Sequence, residues 1–252
     1  MFKIIAQVGS APPIQAVIME GFVLIVFAYL SLQTGLKFKQ SRAIAVRNLF
    51  LSFFAYFLAG STLFSTKAIE YYTGGVVDVS SLGINCGYAF SALGNLFLFY
   101  FTLDIFFKEV KPYFREIITL ATGVVEGFLI IFIFRTESPF LEIPGEYLPF
   151  QLLLWHGLVS SVIFLILFSR SYSEWKKATR PVPKVGFLMI SISAIFELLV
   201  FIFFILDSFF PAGYSLFYFL GWTSASLAGC FAMIGYLMPN WFKNLVQSRI
   251  EN

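Results

Sequence analysis

Seven stretches of this chain are apolar almost without interruption, at residues 14–35, 46–66, 82–105, 117–134, 148–169, 187–206 and 214–238. None of them alternates apolar and polar residues as a half-buried strand does. Each is close to the roughly 20 residues that a helix needs to cross a hydrocarbon core about 30 Å thick. In lipid every backbone polar group must be satisfied within the protein, so a run of this length reads as a helix. The pattern predicts an all-α polytopic membrane protein, a seven-transmembrane helix bundle. Its connections are short, and residues 1–252 form a single domain. Beyond the last stretch, Trp241, Phe242, Leu245 and Val246 fall on one helical face and Lys243, Asn244 and Gln247 avoid it. Residues 240–252 are therefore expected to form a short amphipathic helix lying on the membrane surface.

The basic residues orient this stack. Lys37, Lys39, Arg42 and Arg47 follow the first stretch, and Lys108, Lys111 and Arg115 follow the third. Arg170, Lys176, Lys177, Arg180 and Lys184 follow the fifth, and Lys243 and Arg249 the seventh. Only Lys3, Lys67 and Arg135 fall on the other side. Loops rich in Lys and Arg stay cytoplasmic, so the expectation is a multi-pass cell-membrane protein with its N-terminus outside and its C-terminus inside. The opposite loops are acidic (Glu70, Asp78, Glu137, Glu142, Glu146, Asp207), and residues 135–147 could fold over the outer mouth as a lid.

Composition agrees with this. With 59% hydrophobic and 12% charged residues, a water-soluble domain could not cover its apolar surface. The net charge of +3 arises in the cytoplasmic loops and points to anionic lipid, with no nucleic-acid partner implied. The first dozen residues are too short and mixed for a cleavable signal peptide, so the first span is expected to target the chain. Cys86 and Cys230 both fall inside spans and read as small buried hydrophobes.

Small residues recur at four-residue intervals in two spans. Gly83, Gly87, Ser91 and Asn95 line one face of the third; Gly221, Ala225 and Gly229 line the seventh, beside a row of Ser224, Ala228 and Ala232. Close packing must supply the attraction between helices in lipid, and small residues permit it. Helices three and seven are therefore expected to be central, with Asn85 and Asn95 hydrogen-bonding between helices.

Three glutamates and the one histidine lie well inside the spans. Glu126 and Glu197 are near the midpoints of the fourth and sixth, and Glu20 and His156 are in the outer parts of the first and fifth. A charge at a helix centre costs about 2.5–3.5 kcal/mol on an insertion scale. No Lys or Arg lies in a span centre to offset it, so the glutamates are expected to be neutral. Read functionally, Glu20, Glu126, His156 and Glu197 line one cavity that binds a cation, an amine-bearing ligand or a proton. Read structurally, each hydrogen-bonds a neighbour, with Ser193 one turn from Glu197, and His156 alone is a satisfied core histidine. Asp104, at the cytoplasmic end of its helix, is expected to pair with Lys108 or Arg115, because a helix C-terminus disfavours an anion.

Several chemistries are excluded. Retinal requires a lysine in the bundle core and the seventh span has none, so no cofactor is expected. A single His argues against a metal hydrolase and against bis-histidine haem. No serine sits in a nucleophile motif, and no phosphate-binding loop occurs. The chain is expected to be no enzyme.

The ending Gly235-Tyr236-Leu237-Met238-Pro239-Asn240-Trp241-Phe242 resembles that of prokaryotic seven-helix sensor modules that precede histidine-kinase domains. The resemblance implies spans that perceive a stimulus and a last helix that passes it to a cytoplasmic effector. Here the chain stops about a dozen residues past the membrane, so the effector is expected to be a separate protein. Two other readings stand beside the sensor. One is a small secondary transporter, proton-coupled through Glu126 or Glu197. Its best argument is that Glu20-Gly21-Phe22 and Glu126-Gly127-Phe128 would be antiparallel copies in an inverted repeat. The other is a structural subunit of a larger membrane complex.

Overall fold

The computed structural model describes residues 11–76, 79–134, 150–210 and 214–251. Every regular element among them is helical: α1 (Ile14–Ser41), α2 (Ile44–Tyr72), α3 (Ser80–Phe106), α4 (Pro112–Phe134), α5 (Phe150–Lys177), α6 (Pro181–Asp207), α7 (Leu216–Ala232), a π-helical turn (Met233–Leu237) and α8 (Asn240–Glu251). Six of these are long and apolar enough to cross a membrane: α1, α2, α3, α5, α6, and α7 with its π turn. The protein is an all-helical membrane bundle. The 135–147 segment read as a possible lid lies outside the described residues.

Most helices outrun the apolar stretches that announce them. Lipid dictates only the apolar part; α1 continues through Gln33, Lys37 and Lys39, residue types that favour helix, until Arg42 turns left-handed at φ 55°. Helix α6 begins at Pro181, where the missing N–H would have had no intrahelical partner. The end of the seventh span is the irregular place. Its last turn widens to a π turn, and Met238 then reverses at φ 46° before Pro239.

The helices close into a ring. α1 packs between α7 and α2, α2 leads to α3, α3 meets α5, and α5 and α6 return to α7. Among the described residues α4 stands outside this ring, against α3 and barely touching α5. Phe27, Phe53, Phe101, Phe164, Phe201 and Trp222 belong to the continuous apolar core of the ring. Of the two helices expected to be central, α3 meets α2, α4 and α5 and is the most buried of the six spans, whereas α7 packs between α1 and α6 as one member of the ring. An inverted repeat would make α1 and α4 equivalent; among the described residues α1 lies along α2, whereas α4 makes few contacts with α5.

The small residues mark the close approaches within the ring. Gly83 faces Thr66 of α2, and a Cβ on Gly87 would lie 2.8 Å from Leu63 Cγ of the same helix. Further along the row, Ser91 Oγ lies 3.1 Å from His156 Nε2 on α5. Asn95, fully buried, accepts from Tyr56 Oη on α2 at 2.5 Å and donates to Ser160 Oγ on α5 at 2.6 Å. In α7, a Cβ on Gly221 would meet Phe204 of α6 at 2.8 Å and one on Gly229 would meet Val26 of α1 at 2.5 Å. Ala225 lies buried between them, and Ser224, Ala228 and Ala232 fill the adjoining row. Small residues here are what allows α7 to touch both of its neighbours.

One end of the bundle gathers the basic helix ends. Asp104 of α3 is gripped by Arg115 of α4 and accepts from Asn48 Nδ2 of α2 at 2.8 Å. The Arg170 guanidinium of α5 stacks 4.2 Å over the Phe107 ring. Of the two partners foreseen for Asp104, Arg115 is the one it takes. Because Arg115 meets Asp104 and Thr119 meets Tyr100, α4 runs antiparallel to α3, away from the basic end.

Two substitutions test this packing by thermal unfolding in detergent. Gly229→Val should lower stability by about 1–3 kcal/mol through overpacking against Val26, whereas Thr223→Ala, on the exposed face of the same helix, should change it by less than about 0.5 kcal/mol. Asn95→Leu should cost about 1–2 kcal/mol, since it strips Tyr56 and Ser160 of an interhelical partner.

Candidate functional site

The buried stripe of α1 runs Ala16, Val17, Glu20, Val23, Phe27, Leu30, Ser31 and Thr34. Its three- and four-residue spacing sets one face of the helix inward, and Glu20 is the carboxylate on that face, only 2% exposed. Tyr218 of α7 donates its hydroxyl to Glu20 Oε1 in a short contact. The Tyr218 ring packs edge-on against Tyr214 at 5.1 Å and against Trp222 at 6.2 Å. The Trp222 indole N–H faces the Tyr218 hydroxyl outside hydrogen-bond geometry.

Lys67 completes the cluster from α2. Its Nζ donates to Tyr214 Oη at 2.9 Å, lies 5.1 Å over the Tyr214 ring, and stands 3.6 Å from Glu70 Oε2. Its charge is within Coulombic range of Glu20. Glu70, Lys67, Tyr214, Tyr218 and Glu20 thus form one chain of polar and ring contacts joining α2, α7 and α1 at the end opposite the basic loops. The Tyr214 hydroxyl accepts from Lys67 while its ring packs against that of Tyr218. Tyr214 holds φ at 45°, a conformation that a bulky residue rarely adopts. Such strain persists only where surroundings over-determine it, and here Lys67 and the Tyr218 ring do so.

The other residues predicted for this site are placed elsewhere. His156 of α5, 1% exposed, is wedged edge-on between Tyr88 of α3 at 5.3 Å and Phe201 of α6 at 5.4 Å, with Nε2 toward Ser91. Its Nδ1 has no partner among the described residues. Glu197 of α6 is half-buried and lies in electrostatic range of Tyr236 in the π turn. Ser193, expected beside it as a partner, instead donates to the Ala228 carbonyl of α7 at 2.8 Å. Glu126 is on α4, outside the ring, and its side chain lies outside the described residues. Among the described side chains, no contact joins Glu20, His156 and Glu197 to one another. Glu20 acquires a charged cluster, while His156 and Glu197 sit with separate partners.

A second polar junction, at the basic end, escaped the sequence reading. The last carbonyls of a helix lack intrahelical partners, and Pro239 has no N–H to offer. Lys37 of α1 reaches across and donates to Tyr236 O at 3.2 Å and Leu237 O at 3.0 Å. The π turn lies close against α6, where a Cβ on Gly235 would meet Ile190 Cγ1 at 2.7 Å. Gly235 followed by Pro239 was the available signal, since a glycine before a proline marks a helix end. Lys67 was also missed. It stood out as one of three cations on the acidic side, and its spacing of three from Glu70 announced an ion pair.

Comparison with protein-family models, with curated proteins and with solved structures returns no match for this chain.

Proposed function

We propose that the protein is a receptor-like module of seven spans, with its N-terminus outside and its C-terminus inside. It binds a small cationic or amine-bearing ligand at Glu20 in the outer half of the bundle and signals to a separate cytoplasmic partner through α7 and α8. It carries out no chemistry of its own. Several features support the topology. With 23 residues, α4 is about 34 Å long and runs back along α3, which suits a further crossing. The Lys- and Arg-rich ends of α1, α3, α5 and α7 lie together, as cytoplasmic loops do.

The observation that carries the functional reading is that α1 grips α7 at both ends. Near the outer end Tyr218 donates to Glu20, and near the inner end Lys37 holds the Tyr236 and Leu237 carbonyls. Glu20 and Lys37 lie on one unbroken helix, about 25 Å apart along its axis. Glu20 Oε2 has no hydrogen-bond partner among the described residues, so a donor-bearing ligand finds an acceptor there. A ligand that takes the carboxylate competes with Tyr218 and alters how α7 lies on α1. The π turn is where such a shift is absorbed, since its wider turn accommodates a change of register. To act, the ligand must bind one arrangement of α7 more tightly than the other.

Hydrogen exchange read by mass spectrometry tests the coupling directly. Glu20→Gln and Tyr218→Phe should each change the exchange of α8 peptides, as should Lys37→Gln from the near end. Unchanged α8 exchange with altered exchange around Glu20 would refute the reading. A screen of small amines should also find one that stabilises the protein by about 2.7 kcal/mol at a hundredfold its Kd, without flux in proteoliposomes. Uptake abolished by Glu197→Gln would favour a transporter instead, and a stoichiometric partner in the membrane would favour a subunit.

A further inference from the structure

Two lysines far apart in the chain come within Coulombic range of each other at the basic end. Lys37 Nζ is held 3.0 Å from Leu237 O. Lys243 is in the first turn of α8, its amide bonded to Pro239 O at 3.0 Å, and its charge is within Coulombic range of Lys37. Neither lysine forms an ion pair among the described residues. Like charges held together this way repel unless an anion joins them.

The surroundings indicate which anion. Only Met238 and Pro239 separate the last membrane-crossing helix, ending at Leu237, from α8. Connectivity alone therefore keeps α8 at the membrane surface. Trp241 and Leu245, one turn apart on α8, are 60% and 49% exposed. The helix also packs on α6. Aromatic and aliphatic side chains at a helix beside the bilayer, with cations next to them, match a phospholipid leaflet: acyl chains for Trp241 and Leu245, a phosphate for the lysines. Lys37 spends two of its three N–H donors on carbonyls, leaving one for a headgroup oxygen.

We infer that Lys37 and Lys243 form a binding site for the phosphate of an anionic phospholipid in the leaflet that receives α8, with Trp241 and Leu245 set among its chains. The site depends on neither the Glu20 ligand nor the signalling role. It gives α8 a fixed seat on the bilayer, bonded through Lys37 to the end of α7.

The test uses the full chain in phosphatidylcholine vesicles with increasing brominated phosphatidylglycerol. Bromine quenches nearby indoles, and a Trp241→Phe variant isolates the Trp241 contribution. Trp241 should be half-quenched at a lower fraction of brominated phosphatidylglycerol than of brominated phosphatidylcholine. Lys243→Gln should weaken that preference about fivefold. It leaves the Lys37 bonds to the π turn in place, so folding is preserved. Lys108→Gln, an exposed cation at the same end of the bundle, should leave the preference intact. Four results would overturn the site: no quenching of Trp241, which would mean that a protein covers this face; equal quenching by both lipids; an equal loss in Lys108→Gln, which would make the effect one of general surface charge; or displacement by inorganic phosphate, which would make the ligand a free anion.

Discussion

A polar group withdrawn from water has to find its partner inside the protein, and in lipid there is no fallback. This constraint decides more of the structure than any apolar contact does. It makes the spans helical, since only a helix satisfies its own backbone. It then leaves a residue of unsatisfied groups at helix ends and on the few polar side chains, and those become the joints of the bundle. The carbonyls that end the π turn take Lys37, Asp104 takes Arg115 and Asn48, and Glu20 takes Tyr218. Each of these contacts ties two or three helices together.

Packing supplies the attraction and holds neighbours together, and the polar joints set how they are turned against one another. Lipid tails are as apolar as the side chains they would replace, so burying Phe or Leu between helices gains little from leaving lipid. What remains is close fit, which explains why α7 carries glycine where it touches Phe204 on one side and Val26 on the other. Among the described residues helix α4 shows no such seam on the ring. Its ties are Arg115 to Asp104 and Tyr100 to the Thr119 carbonyl, both to α3. The chain passes from α3 through α4 to α5, yet α3 and α5 pack directly, bridged by Asn95 and Ser160.

The fold was legible in the sequence to the extent that lipid imposes it. The apolar lengths located the long helices because bilayer thickness leaves little choice, and Asp104 announced its partner because a helix end narrows the options to nearby cations. Spacing of small residues revealed that Gly87 and Gly229 meet other helices, but not which ones. That depends on the closure of the ring, which no local pattern encodes. The site was harder for the same reason. Glu20 stood out as a carboxylate in an apolar run, but Tyr218 lies 198 residues away and resembles every other aromatic of the seventh span. Ser193 shows the opposite error: its nearness to Glu197 on one helix suggested a bond that it makes instead with the Ala228 carbonyl. The π turn left no hydropathy signature, because a change from one hydrogen-bonding pattern to another alters no residue's polarity.

The polar ties on α1 are modest as energies. Side-chain hydrogen bonds between membrane helices average about 0.6 kcal/mol, since the separated helices also find partners. Backbone strain of the kind held at Tyr214 is of order 1–3 kcal/mol. Packing along α7, summed over its length, exceeds both, so neither end-contact determines that α7 sits beside α1. They act on something smaller, which is how α7 is rotated and where its last turn ends. A difference of this size is also what a ligand of ordinary affinity can reverse. In the proposed receptor, the joint that moves must be weaker than the packing that keeps the helices together and strong enough to favour one of two arrangements. The Glu20–Tyr218 contact and the Lys37 bonds to the π turn lie in that interval, at opposite ends of the same helix.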